Sequence, residues 1–377
     1  MKSIACLGAL LILLVLVVPA RVSARPELAT LQNSPCSECH VNPTGGGMRN
    51  ATGVEMSKAL ALEASTNAIQ NAYPKFEAFT PMIGSHLQLG ADVREGWIDQ
   101  FKDKRIPASK QTWGSSFYLM QSQFYVDAQV LPVLHVVGGF DVAQNAFEAY
   151  GLVDGLPAGL YIRAGRFILP YGIRFDDHTA FTRDALGFSS TSEDTGLEIG
   201  VRPGPVSVSA TLSNGLLGAN GLDFDGDHYA FTGQASVRFW KFALGGGYFY
   251  NTRNKLWVQT YGPWLSFGIW RLALLGEFDL SNQEAPDAAR PGKTTVQISS
   301  SSVADLEIEL MQGLYFQARY THRDPNWKVR RDWTDQALGG FLFYPMPFVS
   351  VTLQYRFNRE DRPVMNDQLF AQAHFFF

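Results

Sequence analysis

The chain has 377 residues, with 31 Lys and Arg against 35 Asp and Glu, and three cysteines. The formal net charge of -4 gives no basic footprint for nucleic acid. One cysteine, Cys6, lies in a leader, so the two that remain leave no thiol chemistry elsewhere in the mature protein.

Residues 1–24 carry Lys2, an apolar run from Leu7 to Val18, and Val22-Ser23-Ala24 before a cleavage position, the pattern of an export signal. A retained signal anchor is the alternative, but the apolar run is short for a membrane span. Cys6 precedes the run with no small-residue site ahead of it, which argues against a lipoprotein. Loss of Lys2 and Arg21 with the leader leaves 29 basic against 35 acidic residues, a net charge near -6.

Next along the chain is Cys36-Ser37-Glu38-Cys39-His40, the CxxCH sequence to which a c-type haem is attached. Two thiols three positions apart add to the haem vinyl groups, and His40 falls beneath the iron as proximal ligand. A Cys36–Cys39 disulfide and half of a zinc site are the competing readings, but no further cysteine is present beyond Cys39 to complete a zinc set. The predicted cofactor is one covalent haem c. Asn42-Pro43-Thr44-Gly45-Gly46-Gly47 reads as a loop whose glycines either bring backbone close to the haem face or form a plain linker. A helix is expected over Val54–Ala72, rich in Ala, Leu, Glu and Met. The haem segment, 25–81, is too small to build much core alone, so it is expected to plug or cap the periplasmic side of the long region that begins at Met82.

From Met82 to Phe377 alternating segments recur between turn signals, sixteen in all, the signature of a transmembrane antiparallel β-barrel. Leu87, Leu89, Ala91 and Val93 would meet lipid while Gln88, Asp92 and Arg94 face a wet lumen. The eighth, eleventh and fifteenth segments repeat the pattern; in the last, Val349, Val351, Leu353, Tyr355 and Phe357 oppose Ser350, Thr352, Gln354 and Arg356. Short links come after even strands, as at Trp240-Lys241 and Trp270-Arg271, and longer polar links after most odd ones, which puts both termini on the periplasmic side. Short links near Gln144 and Arg253 leave the count open by a hairpin. Trp240 and Trp270 suit an interfacial girdle.

Strand parity points His86, His135 and His374 into the lumen near the periplasmic mouth, with barrel closure making His86 and His374 neighbours. Candidate sixth ligands to the iron are therefore His86, His374 and His135, or Met48, Met56 and Met82, with His86, His374 and Met56 ranked first. Ordinary lumen hydrogen bonding is the competing reading for each. On the outer side, Arg163, Arg166 and Arg174 flank the longest loop and line either a constriction or a solvated loop end. Asp223, Asp225, Asp227 and His228 make a candidate cation site, with a solvated acidic loop as the alternative.

Two resemblances bear on function. The alternating strand ending at Phe377 resembles the closing strand of bacterial outer-membrane barrels, and Gly165-Arg166-Phe167-Ile168-Leu169-Pro170-Tyr171-Gly172 resembles a segment of anion-type porins. One CxxCH on a porin resembles the fused monohaem cytochrome c/porin family, carried by Cys36, Cys39 and His40; Val41-Asn42-Pro43 departs from the aromatic-Pro segment of its iron-oxidising members. The resemblance implies location in the outer membrane of a Gram-negative bacterium, in contact with its lipid. It also implies electron transfer between an extracellular donor or acceptor, such as Fe(II), and a periplasmic carrier. A selective porin with a structural or regulatory haem plug is the alternative, and a haem enzyme such as a peroxidase a weaker one. Trimers are usual for sixteen-stranded porins, by analogy.

Overall fold

The structure, a computed structural model, describes residues 25–377 apart from 77–78, 102–113, 176, 178–179, 185, 220–227, 254, 288–289 and 361–365. The leader thus lies outside the described residues. Sixteen strands run in chain order as β1 Leu87–Gln100, β2 Gly114–Leu131, β3 Leu134–Asp141, β4 Ala146–Leu156, β5 Leu160–Ile168, β6 Glu193–Val201, β7 Val206–Ser213 and β8 Tyr229–Phe239. They continue as β9 Phe242–Arg253, β10 Leu256–Ile269, β11 Leu272–Pro286, β12 Thr294–Met311, β13 Leu314–Asp324, β14 Thr334–Met346, β15 Val349–Glu360 and β16 Gln368–Phe376. Each pairs antiparallel with its sequence neighbours, and β16 closes on β1 from Gln368↔Gln100 to Phe376↔Asp92. A two-residue strand, Met82–Ile83, lies against the start of β1. The hairpins near Gln144 and Arg253 are real strand reversals, so the count stands at sixteen.

The period-2 pattern decides the faces. Gln88, Asp92 and Arg94 are buried on the inner side while Leu89 is exposed outside, and on β15 Ser350, Thr352, Gln354 and Arg356 turn inward against Val351, Leu353, Tyr355 and Phe357. An exposed apolar band around a polar interior, with no open sheet edge, is the solution a lipid bilayer imposes on strands. Trp240 and Trp270, at two-residue links between even and odd strands, are among the most exposed aromatics and hold left-handed backbone, φ 51° and 57°. Asn or Gly is the usual occupant of such a turn.

The remaining chain lies largely inside the barrel. Helix α1, Pro26–Gln32, packs against β10 and β11, where the carbonyl of Thr30 lies so close to Gly268 that any Cβ there would collide with it. Leu28 is buried with Tyr315, Leu342, Tyr344 and Phe376, a burial that stabilises by roughly 1.5–3 kcal/mol. The long helix expected over Val54–Ala72 is two helices, α2 Ala51–Ala59 and α3 Glu63–Ala72. The break is made by the barrel rim: Gln312 donates to the carbonyls of Ala59 (3.3 Å) and Ala61 (2.9 Å), and the Leu62 amide donates to the Tyr344 carbonyl (3.2 Å). Those rim bonds take the carbonyls of Ala59 and Ala61 and the amide of Leu62. Gln312 and Trp240, whose carbonyl accepts from Asn33 (2.8 Å), lie on short links, so the segment enters from the short-link end.

From the other end comes the long loop between β5 and β6. Its aromatic residues fold inward: Tyr171 stacks on Phe188 at 4.4 Å, Phe249 meets Phe188 edge-on, and Val41 of the N-terminal segment packs against the same cluster. Within the loop a single helical turn, α4, spans Phe181–Asp184.

Candidate functional site: the CxxCH hairpin in the lumen

Cys36–Glu38 forms one tight helical turn, with the amides of Cys39 and His40 both donating to the carbonyl of Cys36. His40 then bridges Arg49 antiparallel, Val41 donates to the Met48 carbonyl and Asn50 to the Cys39 carbonyl, which makes 39–50 a small hairpin. At its tip Gly45, Gly46 and Gly47 all hold positive φ. A Cβ on Gly45 would stand 2.7 Å from that of Cys36, and one on Gly46 2.8 Å from the guanidinium carbon of Arg174. The glycine run is therefore a close-approach element.

Asn50 organises the hairpin. Its Oδ1 accepts from the Gly53 amide (3.0 Å) as the N-cap of α2, and its Nδ2 donates to the carbonyls of Ser37 (3.2 Å), Glu38 (3.1 Å) and His40 (3.4 Å). An Asn at a helix start was the available signal, and sequence reasoning passed over it.

The residues present fit a c-type haem. Cys36 and Cys39 are both free thiols, not a disulfide, and no group of three or more His, Cys, Asp or Glu among the described residues is arranged to hold a metal ion, which leaves the zinc reading without ligands. His40 Nδ1 lies 3.3 Å from the Gly47 carbonyl. An Nδ1–H donated there would fix the orientation of the ring, the support that a ligating histidine needs from its surroundings. Cys39 is buried, which together with Glu38 and Cys36 pushes its thiol up to about 12. Cys36 and His40 line a cavity of about 230 Å³, open to the lumen.

The other candidates lie elsewhere. His86 is exposed at the rim, Nδ1 3.1 Å from the Gln129 carbonyl. His374 is buried, with Nε2 2.8 Å from Asp92, and stands opposite Arg94 in the closing register, eight residues along β1 from His86. The expected His86–His374 adjacency is thus corrected: parity gives the face, but the stagger of closure sets the height. His135 pairs with Asp127 at 3.0 Å. Met48 is buried against Gly90, Met56 is half-buried in mid-α2, and Met82 is in the two-residue strand. None of these lines the cavity beside Cys36 among the described residues. Asp223, Asp225 and Asp227 lie outside the described residues; His228 directly precedes β8.

Of the three outer arginines, Arg163 and Arg166 are buried, and Arg174 is half-buried and lines the cavity beside Cys36. Arg163 is fully buried, paired with Glu198 at 2.6 Å and donating to Asn42 Oδ1 at 2.8 Å. Arg166 donates to the carbonyls of Phe147, Gly218 and Ala219. Arg174 donates to the carbonyl of Gly45. Arg163 and Arg174 therefore clasp the hairpin tip from the wall and from the inward loop. A second clasp forms at Arg319, paired with Asp305 (2.5 Å), with Asp177 of the loop (3.2 Å) and with Glu27 of α1 (3.6 Å). Wall, loop and N-terminal segment meet at that guanidinium.

No protein-family model and no curated protein matches the sequence. Solved structures do match in fold. The outer membrane channel DcaP of Acinetobacter baumannii aligns with TM-score 0.57 at 11% identity, over 79% of this chain and 99% of its own. OmpT of Vibrio cholerae aligns with TM-score 0.58 at 10% identity, over 77% and 97%. OprB of Pseudomonas putida aligns with TM-score 0.57 at 8% identity, over 78% and 94%. The chain has the fold of the outer-membrane porins, a closed antiparallel barrel of sixteen strands.

Proposed function

We propose that the protein is an outer-membrane channel of porin type whose lumen is narrowed by a plug, residues 25–81, carrying one covalent c-type haem on Cys36 and Cys39 with His40 as proximal ligand. The observation that carries this reading is the CxxCH hairpin inside a porin-fold barrel, clasped by Arg163 and Arg174 and open to a lumen cavity. The haem, when bound, supplies a one-electron iron centre and a rigid apolar body. The chain's own residues hold the hairpin, through Asn50 and the arginines, and orient the imidazole through the Gly47 carbonyl. In this reading the plug governs solute passage, and the haem is its staple or its redox sensor. A homotrimer is the expected assembly, by likeness to OmpT, for which a trimer form has been solved.

The test is solute flux and single-channel conductance of the full chain in liposomes, with the haem oxidised and reduced. Measurable conductance supports the channel; a barrel closed to every small ion in both states overturns it. A second reading, electron passage from an outside donor such as Fe(II) to a periplasmic carrier, is favoured by one observation: the loop entering from the long-link end reaches Gly45 through Arg174. The haem would then lie within the lumen, within reach of both sides. Haem reduction by ferrous iron added outside sealed liposomes favours this reading; a haem inert to every external donor excludes it.

A further inference from the structure

The outward face of β12–β15 changes character near its outer end. Ala304, Tyr320, Ala337 and Phe357 pair in one row across the four strands, all of them exposed and part of the lipid-facing band. The next outward row is Ser302, His322, Asp335 and Arg359. Apolar side chains at one level and ionisable ones at the next place the edge of the hydrocarbon layer between the two rows. The loop from β13 to β14 then folds back over this outer wall. The Trp327 amide donates to the Ile298 carbonyl (3.0 Å), its indole Nε1–H to Ser300 Oγ (2.9 Å), and Lys328 Nζ to the Val296 carbonyl (2.9 Å).

Charge on this surface is sorted by exposure. Lys328, Arg330, Arg331 and Arg359 are exposed, whereas Asp324, Asp332, Asp335 and Glu360 are half-buried. Three of those carboxylates are already engaged: Asp335 accepts from Tyr320 Oη (2.9 Å) and lies 2.6 Å from His322 Nδ1, Asp324 accepts from the Asn326 amide (3.1 Å), and Glu360 accepts from Asn366 (3.0 Å). Arg359 lies over the Trp333 ring at 5.7 Å. The cations thus form the outermost layer, beside Trp327 and Val329, which are 52% and 50% exposed. Apolar bodies at the membrane edge with positive charge beside them match a lipid whose headgroup is anionic.

We propose that this collar, Trp327 with Lys328, Arg330 and Arg359, docks a phosphorylated glycolipid of the outer leaflet, with phosphates on the cations and the upper acyl chains against Tyr320 and Phe357. The surface is continuous with the lipid-facing band below it, so the occupant is a lipid. Its cations come from a strand and a separate loop, which suits a headgroup with more than one phosphate. The inference rests on the outer-membrane placement of the barrel, and on neither the channel nor the haem.

The test is native mass spectrometry of the full-length protein in detergent, with lipid A, a disaccharide lipid carrying two phosphates, or with phosphatidylglycerol. Lipid A is expected to stay bound at concentrations roughly tenfold below those that phosphatidylglycerol needs, and Lys328→Gln/Arg330→Gln/Arg359→Gln to weaken its binding roughly tenfold or more. Lys328→Arg/Arg330→Lys/Arg359→Lys keeps the charge and retains binding, which separates loss of the surface from loss of the fold. Equal retention of the two lipids, or lipid A binding unchanged in the glutamine variant, overturns the proposal. So does a glutamine variant that changes in subunit number and not in lipid binding, which would assign the face to a second copy of the chain. A barrel that is closed to solutes or carries no haem but still retains lipid A upholds the collar while the channel or haem reading fails.

Discussion

At the residue scale, the hairpin that presents the CxxCH depends on one side chain outside the motif. Asn50→Ala removes a helix N-cap and three donations to backbone carbonyls, a loss on the order of 1–3 kcal/mol. The expected outcome is a barrel of unchanged strand content with a plug that unfolds at lower urea and retains less haem, read by near-ultraviolet circular dichroism and haem absorbance. An unchanged plug transition would show that Arg163 and Arg174 alone fix the hairpin. Cys39, 2% exposed, makes a second point. If Cys39 carries a thioether as proposed, attachment at a thiol this buried would precede docking of the plug. In folded haem-free protein an alkylating reagent is expected to modify Cys36 and spare Cys39; equal labelling of both would count against that order of events.

The expectation for Cys36, Cys39 and His40 rests on spacing alone, because CxxCH is a local pattern. Arg163, Arg166 and Arg174 were not, because their partners are distant in sequence: Asn42 lies 121 residues from Arg163, and Gly45 lies 129 from Arg174. Arginines on a strand end and the loop after it look alike in sequence whether they face water or a buried carbonyl.

At the element scale, α1 is fastened by fit and by charge. Gly268 of β10 gives the Thr30 carbonyl its place, so Gly268→Val is expected to lift α1 from the wall without disturbing β10, and to raise conductance by opening a path past the plug. Conductance equal to wild type would contradict the account of α1 as a plug. Charge adds a pH dependence. Burial first, then Asp305, raises the Glu27 carboxyl above its ordinary range, against the lowering effect of Arg25 and Arg319, while Glu307 and Asp177 complete the surrounding charges. A group whose folded value is raised stabilises the folded form at low pH, and that contribution is lost as pH rises from about 4.5 through the raised value. The plug of the wild type is therefore expected to resist urea better at pH 5 than at pH 8, and Glu27→Gln to flatten that difference. An identical pH slope in both proteins would remove Glu27 as its source.

Strand faces were legible because a period of two is insensitive to everything distant: one polar Gln354 between Leu353 and Tyr355 says which side is wet. Heights and interruptions were not. The stagger of β16 against β1 separates His374 from His86, and the break of the helix at Leu60–Leu62 is imposed by Gln312, 251 residues from Ala61.

At the scale of the whole molecule, the barrel and its filling are two different solutions to one problem. The wall buries its backbone by closure and turns its apolar side chains to lipid, so its lumen is left lined with Ser, Gln, Arg and carboxylates. A segment of 57 residues with little core of its own borrows that wall: Leu28 on Tyr344 and Phe376, Val41 on the loop's aromatic cluster, Arg49 over the Phe376 ring at 4.2 Å. The two halves specify each other, which is why neither the plug nor the loop reads as a finished structure in isolation. No helix among the described residues is long and apolar enough to cross a membrane, and the strands carry that role.

The central claim, a covalent haem on a plug within a porin-fold barrel, is tested most directly by the intact mass of the protein purified from outer membranes and alkylated in denaturant. The account predicts a chain heavier by one haem, with Cys36 and Cys39 both refractory to alkylation. A chain of unmodified mass with both thiols alkylated would contradict it.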